Sequence, residues 1–431
     1  MSEHQTAGVV VGDSRLGARR RLLTVPTVQL AATALLLIAV VSSWFITSAA
    51  LRSLEVSFAL PASAATTLLV TVQLGFALGA GATGLLRVAD RVTPASILPA
   101  ACAAVAVADV LPIVVRSWEG LSISRALVGV LLGVIYPIGM RAAVSWFSGR
   151  ARGPAVACVV AALTLGSASP QLIRSVGGVD WEGASLTAAC LAVVAAAIAL
   201  VVVAGPHSAA PGRTTLRAAA ALMTDRAQIR VSVAYIGHMW ETYAFWVWVP
   251  ALIAVLPGAP DGPVIGLLAF VIIGIAGVVG CLLGGLVAGR WSQRGVARTA
   301  SVVSCACGAS MLVAPELPFG VVLAVLVLWG VAVIADSAMY SAMTGAIAGS
   351  RPVGSAIAVQ MAVGYALSAA AVVVVARIAS TTSWPIALAT TAIAPAVSVA
   401  LLGRSLLTHE RPVRHEHTGR PTDQRSAHQH T

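Results

Sequence analysis

Twelve long apolar runs are the feature that most constrains the fold of this chain. A helix needs about 20 residues to cross the hydrocarbon layer of a bilayer. Inside that layer every backbone polar group must be paired within the protein, so only helices and closed β-barrels can span it. The runs lack the alternating pattern of barrel strands, which leaves helices. We number them as spans 1 to 12, at residues 28–50, 64–87, 95–115, 121–145, 154–174, 184–204, 229–254, 263–288, 297–315, 319–347, 354–377 and 383–404.

Composition excludes a set of soluble domains, which a length of 431 residues would otherwise allow. Hydrophobic residues make up 58% of the chain and charged residues only 10%, whereas soluble domains carry about 25% charged residues. We therefore predict an all-α integral membrane protein with twelve transmembrane helices.

The basic residues predict the orientation of the chain in the membrane. The formal net charge is +11, and all 27 basic residues are arginine. If the N-terminus is cytoplasmic, 22 arginines lie on the cytoplasmic side, 4 lie on the opposite side, and Arg125 lies within span 4. Because positively charged loops stay in the cytoplasm, both termini are predicted to be cytoplasmic. The same pattern explains the net charge without a nucleic-acid partner.

A polar stretch after span 6 divides the twelve spans into two sets of six. We predict five regions: a cytoplasmic N-terminal tail, an N-terminal six-helix half, a central cytoplasmic loop, a C-terminal six-helix half and a disordered cytoplasmic tail. Their bounds are 1–27, 28–204, 205–228, 229–404 and 405–431.

The chain lacks the motifs of common enzyme and metal-site classes. It has no phosphate-binding loop of an ATPase, no HExxH motif and no nucleophile elbow. Its six cysteines lie in apolar segments, and the spacing of Cys305 and Cys307 fits neither a zinc nor a redox motif. We therefore expect no enzymatic activity, no metal and no cofactor.

Two charged residues inside the first half are placed to meet. Asp109 in span 3 and Arg125 in span 4 are each eight residues from Ser117, in the turn between the spans. At a rise of 1.5 Å per residue both lie about 12 Å from the turn and can form an ion pair. Two interpretations stay open. The pair ties the spans together, or Arg125 binds an oxyanion or relays protons while Asp109 controls its availability.

Span 7 carries a second polar face. His238 and Glu241 are three residues apart and share one side of the helix. They either carry protons or form a pair that packs span 7 against a neighbour. Trp240 is the tryptophan of this segment that we expect in a cavity, whereas Trp246 and Trp248 are expected to be packing or outer-interface residues in the outer part of the helix.

Span 10 adds Asp336 and Tyr340, four residues apart on one face. Asp336 is a lone carboxylate in its span and, with Glu241, a candidate proton carrier, since ionisable groups inside a membrane are costly and usually functional. Gln360 of span 11 is a further candidate for a cavity-lining residue.

Two loops carry related motifs, GLLRVADRVTPASI at 84–97 and GGLVAGRWSQRGVAR at 284–298. The first resembles the loop motif G-x-x-x-D-R-x-G-R of the major facilitator superfamily in its Asp90–Arg91 pair, although Leu86 replaces the first glycine. In the second copy Gly285 and Arg290 match, and Gly289 replaces the acidic residue. The segment SRALVG (124–129) also resembles the span-4 motif of that superfamily, an arginine followed four residues later by glycine.

The resemblance implies a secondary transporter that works as a monomer among membrane lipids and moves a small molecule or ion, with protons as the coupling ion. It also implies a cytoplasmic gate in which Asp90 pairs with an arginine such as Arg141. Arg91 and Arg290 are the other gate residues that we carry over from the motif.

Four segments resemble a bacterial branch grouped with nitrate/nitrite and cyanate porters: YPIGMRAAVSWF, LTLGSASPQLIR, GHMWETYAFWVW and ADSAMYSA. The branch implies a bacterial cytoplasmic membrane and a small anion or organic acid as substrate. Two alternatives stay open: an exporter of hydrophobic or cationic compounds, and a membrane sensor or scaffold that transports nothing.

Overall fold

The computed structural model describes residues 24–60, 64–176, 180–208, 224–348 and 354–403, and all regular secondary structure in these ranges is helical. Ten helices are long and apolar enough to cross a membrane. The main helix of span 1 is shorter, at 16 residues, and the helix of span 7 has 30 residues but carries His238 and Glu241. With these two, the described helices occupy all twelve predicted spans.

The helices of the first half follow the predicted order. They are Pro26–Val41, Ile46–Ala49 and Leu51–Phe58 (span 1 and its extension), Ala64–Leu85 (span 2), Val88–Arg91 (the loop), Pro94–Val115 (span 3), Trp118–Val144 (span 4), Arg152–Ser175 (span 5) and Trp181–Ala199 (span 6).

The helices of the second half include more irregular turns. They are Arg226–Val255 (span 7), Gly262–Phe270, the π-helical Val271–Ile275 and Ala276–Val287 (span 8), Gln293–Ser310 and the 3₁₀ turn Met311–Glu316 (span 9), Phe319–Ala335 and Ser337–Ala348 (span 10), Gly354–Thr381 (span 11), and Trp384–Ala389, the 3₁₀ turn Thr390–Ala392 and Ile393–Gly403 (span 12).

Capping side chains fix where several spans begin. Ser117, Asp180 and Asp225 each accept a hydrogen bond from a backbone N–H in the first turn of spans 4, 6 and 7. Ser292 and Ser383 do the same for spans 9 and 12. Each cap pairs a donor that the helix itself leaves unpaired, which ends the loop at a defined residue.

Glycines bring the backbones of spans 2 and 4 into contact, and the same arrangement recurs in spans 8 and 10. A Cβ atom added to Gly79 would lie 2.1 Å from the carbonyl oxygen of Val130, and one added to Gly280 would lie 2.1 Å from that of Val331. Only glycine fits such close crossings. Spans 8 and 10 hold the same places in the second half as spans 2 and 4 in the first, so the packing repeats.

The two halves meet along two seams, span 2 against span 11 and span 5 against span 8. On the first seam, a Cβ atom on Gly84 would lie 1.9 Å from the Cβ atom of Ala358, near the end predicted to be cytoplasmic. On the second, a Cβ atom on Gly266 would lie 2.7 Å from the carbonyl oxygen of Gln171, near the opposite end. The halves therefore touch near both membrane faces.

Two spans are interrupted, where the apolar runs predict continuous helices. In span 1 the N–H groups of Ser43 and Trp44 bond to carbonyls three residues back, and the tightened turn presents the Ser43 carbonyl to Arg125. Span 10 is interrupted at Asp336, whose carboxylate contacts His238 of span 7. Polar contacts with other spans accompany both interruptions, and hydropathy cannot reveal such contacts.

The predictions for the two tails fall almost entirely outside the described residues, as does most of the central loop.

Candidate functional site

A buried ion pair lies inside the first half. Nη2 of Arg125 lies 2.7 Å from Oδ1 of Asp109 and also donates to Oγ of Ser124 at 2.9 Å. Nη1 donates to the Ser43 carbonyl at 3.1 Å, and the Ser43 hydroxyl donates to the second carboxylate oxygen at 2.6 Å. Arg125 and Asp109 are 1% and 0% exposed. The pair that residue spacing predicted is therefore present, and both terminal nitrogens of Arg125 have partners.

A second cluster lies inside the second half, around Asp336. Nδ1 of His238 lies 2.8 Å from Oδ1 of Asp336, and the Tyr340 hydroxyl donates to Oδ2 at 2.8 Å. All three side chains are buried. The break in span 10 places Asp336 between its own helix segments and span 7, so a histidine and a hydroxyl share its carboxylate.

Glu241 belongs to the same half but has different partners. Oε1 accepts from the Ser304 hydroxyl at 2.6 Å and from the Trp329 indole at 2.8 Å. His238 and Glu241 share a helix face, as predicted, but contact different spans rather than each other. Asp336 is the one acidic residue of span 10, and its carboxylate has two partners, His238 and Tyr340.

An aromatic cluster joins the halves: Trp44 and Phe76 from the first, Tyr243 and Tyr365 from the second. The centroid distances are 4.5 Å for Trp44–Phe76, 4.2 Å for Phe76–Tyr365, 5.7 Å for Trp44–Tyr243 and 5.5 Å for Tyr243–Tyr365. All four residues are buried. The rings occupy the centre of the contact between the halves.

The remaining candidates of the second half lie elsewhere. Gln360 accepts from Thr344 at 2.9 Å and from Gln228 at 3.3 Å, in a separate buried amide cluster of spans 7, 10 and 11. Trp240 is half-buried against the core. Trp246 is a packing residue, buried with its ring 5.5 Å from that of Tyr243.

The predicted gate is described only in part. Arg91 and Arg290 are exposed at loop positions, and Arg141 is half-buried near the end of span 4 and has an interaction partner. The side chain of Asp90 is outside the described residues, so its pairing with Arg141 stays a prediction.

Comparison with protein families matches residues 31–373 to the model of the Major Facilitator Superfamily. The chain belongs to the major facilitator superfamily. It is therefore a multi-pass membrane transporter for a small molecule and not an enzyme. No curated protein sequence gives a significant match.

Solved structures of the superfamily share this fold. The transporter FucP in the outward conformation matches with a TM-score of 0.64 and 11% identity, over 87% of this chain and 97% of that one. The proton:xylose symporter XylE bound to 6-bromo-6-deoxy-D-glucose also gives 0.64, with 12% identity, over 88% of this chain and 95% of that one. At this identity the likeness concerns the fold alone.

Sequence reasoning missed several residues that the fold brings to the centre. Ser304 binds Glu241 from span 9, and Gln73 of span 2 donates to the Ser368 hydroxyl of span 11 at 2.9 Å, across the boundary between the halves. A single amide in an apolar run, such as that of Gln73, could have identified this residue as a candidate. Nothing near Trp44 in the sequence marks it as central.

Proposed function

We propose that this member of the superfamily couples solute movement to protons and cycles by alternating access of its two halves. The observation that carries the proposal is the pair of buried carboxylates, Glu241 and Asp336, inside the second half. Acidic residues inside a membrane are costly and typically serve ion or proton pathways. In the first half, by contrast, the buried carboxylate of Asp109 is paired with Arg125.

Glu241 is suited to gaining and losing a proton. Its side chain is 3% exposed, and the donors described for it are neutral groups, the hydroxyl of Ser304 and the indole of Trp329. Both bind Oε1, so Oε2 can take a proton without displacing either donor. Protonation forms an O–H bond at Oε2 and removes the charge of the carboxylate, while the two hydrogen bonds to Oε1 stay in place.

Asp336 and His238 provide a second place for a proton. Nδ1 of the imidazole lies 2.8 Å from Oδ1 of the carboxylate, so the two ionisable groups are in direct contact. The Tyr340 hydroxyl keeps the carboxylate oriented.

For the substrate, we propose a hydrophobic or cationic compound. The small-anion hypothesis, which came with the nitrate/nitrite and cyanate porter branch, needs Arg125 as its ligand. Three hydrogen bonds already occupy the terminal nitrogens of Arg125. The centre of the contact between the halves is instead lined by aromatic rings.

One observation favours a small anion as the second candidate. Nε of Arg125 is buried and has no hydrogen-bond partner among the described residues. Arg125 also lines a small cavity together with Thr47 and Ser185. An anion that entered from this side would meet a guanidinium nitrogen still able to donate.

We further propose that the chain works as a monomer in a bacterial cytoplasmic membrane, with both termini cytoplasmic. The 22-to-4 division of the arginines supports this orientation.

The test uses purified protein in liposomes that contain a trapped pH dye, with nitrite, cyanate, benzoate, tetraphenylphosphonium and the uncharged aromatic compound benzamide as the compounds. We expect proton-coupled flux with one of these classes. Glu241→Gln should lose gradient-driven accumulation and keep solute counterflow, because glutamine retains the acceptor oxygen but cannot carry the proton. Glu182→Gln is the matched control, since Glu182 pairs with exposed Arg116 outside this cluster. Unchanged accumulation in Glu241→Gln, or no flux of any compound, contradicts the proposal.

A further inference from the structure

We propose that the aromatic cluster is the solute-binding site and that it selects an uncharged aromatic solute carrying both a hydrogen-bond donor and an acceptor, as a carboxamide does. This inference rests on the proposed function, because it names the solute that such a transporter would move. Three features of the cluster carry it: ring contacts across the boundary, two unpaired polar atoms, and charged groups that are already occupied.

The ring contacts cross the boundary that has to open during transport. Phe76 faces Tyr365 at 4.2 Å and Trp44 faces Tyr243 at 5.7 Å, with one ring of each pair in each half. Separation of the halves breaks both contacts. A flat solute between the rings replaces them, because aromatic groups gain from stacked and edge contacts at these distances. In the closed structure the protein's own rings fill the site.

Two buried polar atoms at this boundary are unpaired. Nε1 of Trp44 and Oε1 of Gln73 have no hydrogen-bond partner among the described residues, although both side chains are 0% exposed. Buried polar groups are nearly always paired, so exceptions need an explanation. A donor and an acceptor left open in the same region indicate partner groups that arrive with the solute.

Gln73 belongs to the same region as the rings. It lies one helical turn from Phe76, and its amide nitrogen donates to Ser368, which lies one turn from Tyr365. The amide contact therefore forms the next layer beside the Phe76–Tyr365 contact. A solute stacked on Phe76 would lie one helical turn from Gln73 and beside Trp44, whose ring centroid is 4.5 Å from that of Phe76.

The chemistry of the two open atoms selects against a charged solute. An anion supplies acceptors for Trp44 but leaves the Gln73 oxygen facing a negative charge. A cation supplies donors for Gln73 but leaves the indole N–H unpaired. A carboxamide pairs both: its oxygen accepts from Nε1 and its N–H donates to Oε1.

Charged side chains described nearby are occupied by the clusters already described. Arg125 is held by Asp109, and Glu241 accepts from Ser304 and Trp329. An anion among the rings would therefore meet an arginine that is already paired with a carboxylate, and burial of an unpaired charge is unfavourable.

The experiment measures binding of benzamide to the full purified chain by titration calorimetry. Three probes of similar size each change one property: benzoate is an anion, benzylammonium is a cation, and cyclohexanecarboxamide has no aromatic ring. We expect benzamide to bind about tenfold more tightly than each of the three, the factor that corresponds to 1.4 kcal/mol.

Two variants test the residues. Trp44→Phe keeps an aromatic ring and removes the N–H, and Gln73→Met keeps the length of the side chain and removes the amide. Each should weaken benzamide binding about tenfold, a factor equivalent to 1.4 kcal/mol. Trp291→Phe is the matched control, since Trp291 is exposed at the end of span 8. Thermal unfolding of each variant verifies that the fold is retained.

Three outcomes would overturn the inference: a charged probe that binds as tightly as benzamide, unchanged benzamide binding in Trp44→Phe, or no binding of any probe. Its failure is distinguishable from failure of the proposed function. If another compound shows proton-coupled flux that depends on Glu241, the function stands without this site. If benzamide binds but no proton-coupled flux occurs, the site stands without the coupling.

Discussion

At the scale of single residues, the first half is marked by the buried ion pair of Asp109 and Arg125. Ser43 and Ser124 complete its hydrogen bonds. A buried pair of this kind contributes little net stability over an apolar pair, but the loss of one partner leaves an uncompensated charge.

Asp109→Asn should therefore destabilise the protein strongly, by about 3–5 kcal/mol. Thermal unfolding in detergent measures the effect. Ser124→Ala removes two hydrogen bonds, one to the Ala108 carbonyl and one from Arg125, but no charge, and should cost about 2 kcal/mol. Equal stability of Asp109→Asn and the wild type would mean that the pair does not hold spans 3 and 4 together.

The double variant Asp109→Leu with Arg125→Met separates a structural role from a functional one. It removes both charges at similar volume, so we expect unfolding stability close to that of the wild type. Transport by the double variant then decides between the roles. Retained transport assigns the pair to structure, whereas lost transport in a stable protein assigns it to the mechanism.

The residue scale also shows what sequence can predict of the candidate site. Equal distances from Ser117 were enough to predict the contact between Asp109 and Arg125, because a short turn fixes the relative depth of two helices. The contact of Glu241 with Ser304 joins residues 63 positions apart. No local spacing encodes such a contact, since it depends on how spans 7 and 9 are packed.

At the scale of helices, glycines have two distinct roles. Gly79 lies within one half, against the backbone oxygen of Val130, while Gly84 lies on the seam between halves, against the Cβ atom of Ala358. A side chain at the first position disturbs a contact between two backbones. At the second position it separates the two halves, which move apart in the proposed transport cycle.

Gly79→Val should therefore reduce the yield of folded protein, whereas Gly84→Val should fold and lose transport because the seam cannot close. Size-exclusion chromatography and liposome transport measure the two effects. Gly345→Val is the control, since a Cβ atom there meets nothing within 4 Å. Wild-type transport by Gly84→Val would contradict the role of the seam.

A compensating pair strengthens this test. In Gly84→Ala the added methyl group clashes with the Ala358 methyl group at 1.9 Å. Ala358→Gly removes that methyl group, so the double variant should recover transport. If the recovery fails, the effect of Gly84→Ala does not come from this contact.

The positions of most spans could be predicted because each is an apolar run long enough to cross the membrane, whereas capping side chains fix where several of them begin. The interruptions at Ser42–Phe45 and at Asp336 could not, since a hydropathy average over many residues conceals one irregular turn. Asp336 was selected as a functional candidate from its charge, but its effect on the helix appears only once span 7 supplies His238.

At the scale of the whole molecule, the division of the arginines predicts the orientation in the membrane. Asp180 caps span 6 on the side predicted to be external, and Ser208 follows that span on the cytoplasmic side. Both side chains are exposed, and the Asp180→Cys substitution removes one capping hydrogen bond, that from the Gly183 N–H.

In a background without the six native cysteines, Asp180→Cys should react with a membrane-impermeant maleimide in intact cells. Ser208→Cys should react only after the cells are lysed. The reverse labelling pattern would mean that the arginine distribution does not control the orientation of this chain.

The family could be predicted from the sequence, because the twelve spans and the two loop motifs together cover most of the chain. The substrate could not be predicted in the same way. The residues that meet at the centre, Trp44, Gln73, Tyr243 and Tyr365, come from four spans and form no motif in the linear sequence.

The interruption of span 10 has a kinetic consequence. Asp336 joins Phe319–Ala335 to Ser337–Ala348 and also contacts His238. If this carboxylate gains a proton during the cycle, protonation occurs at the residue where the helix is interrupted. No other residue then has to transmit the effect of protonation to the helix. Reorientation would then be slowed by deuterium in the solvent, while the rate of solute capture would stay the same.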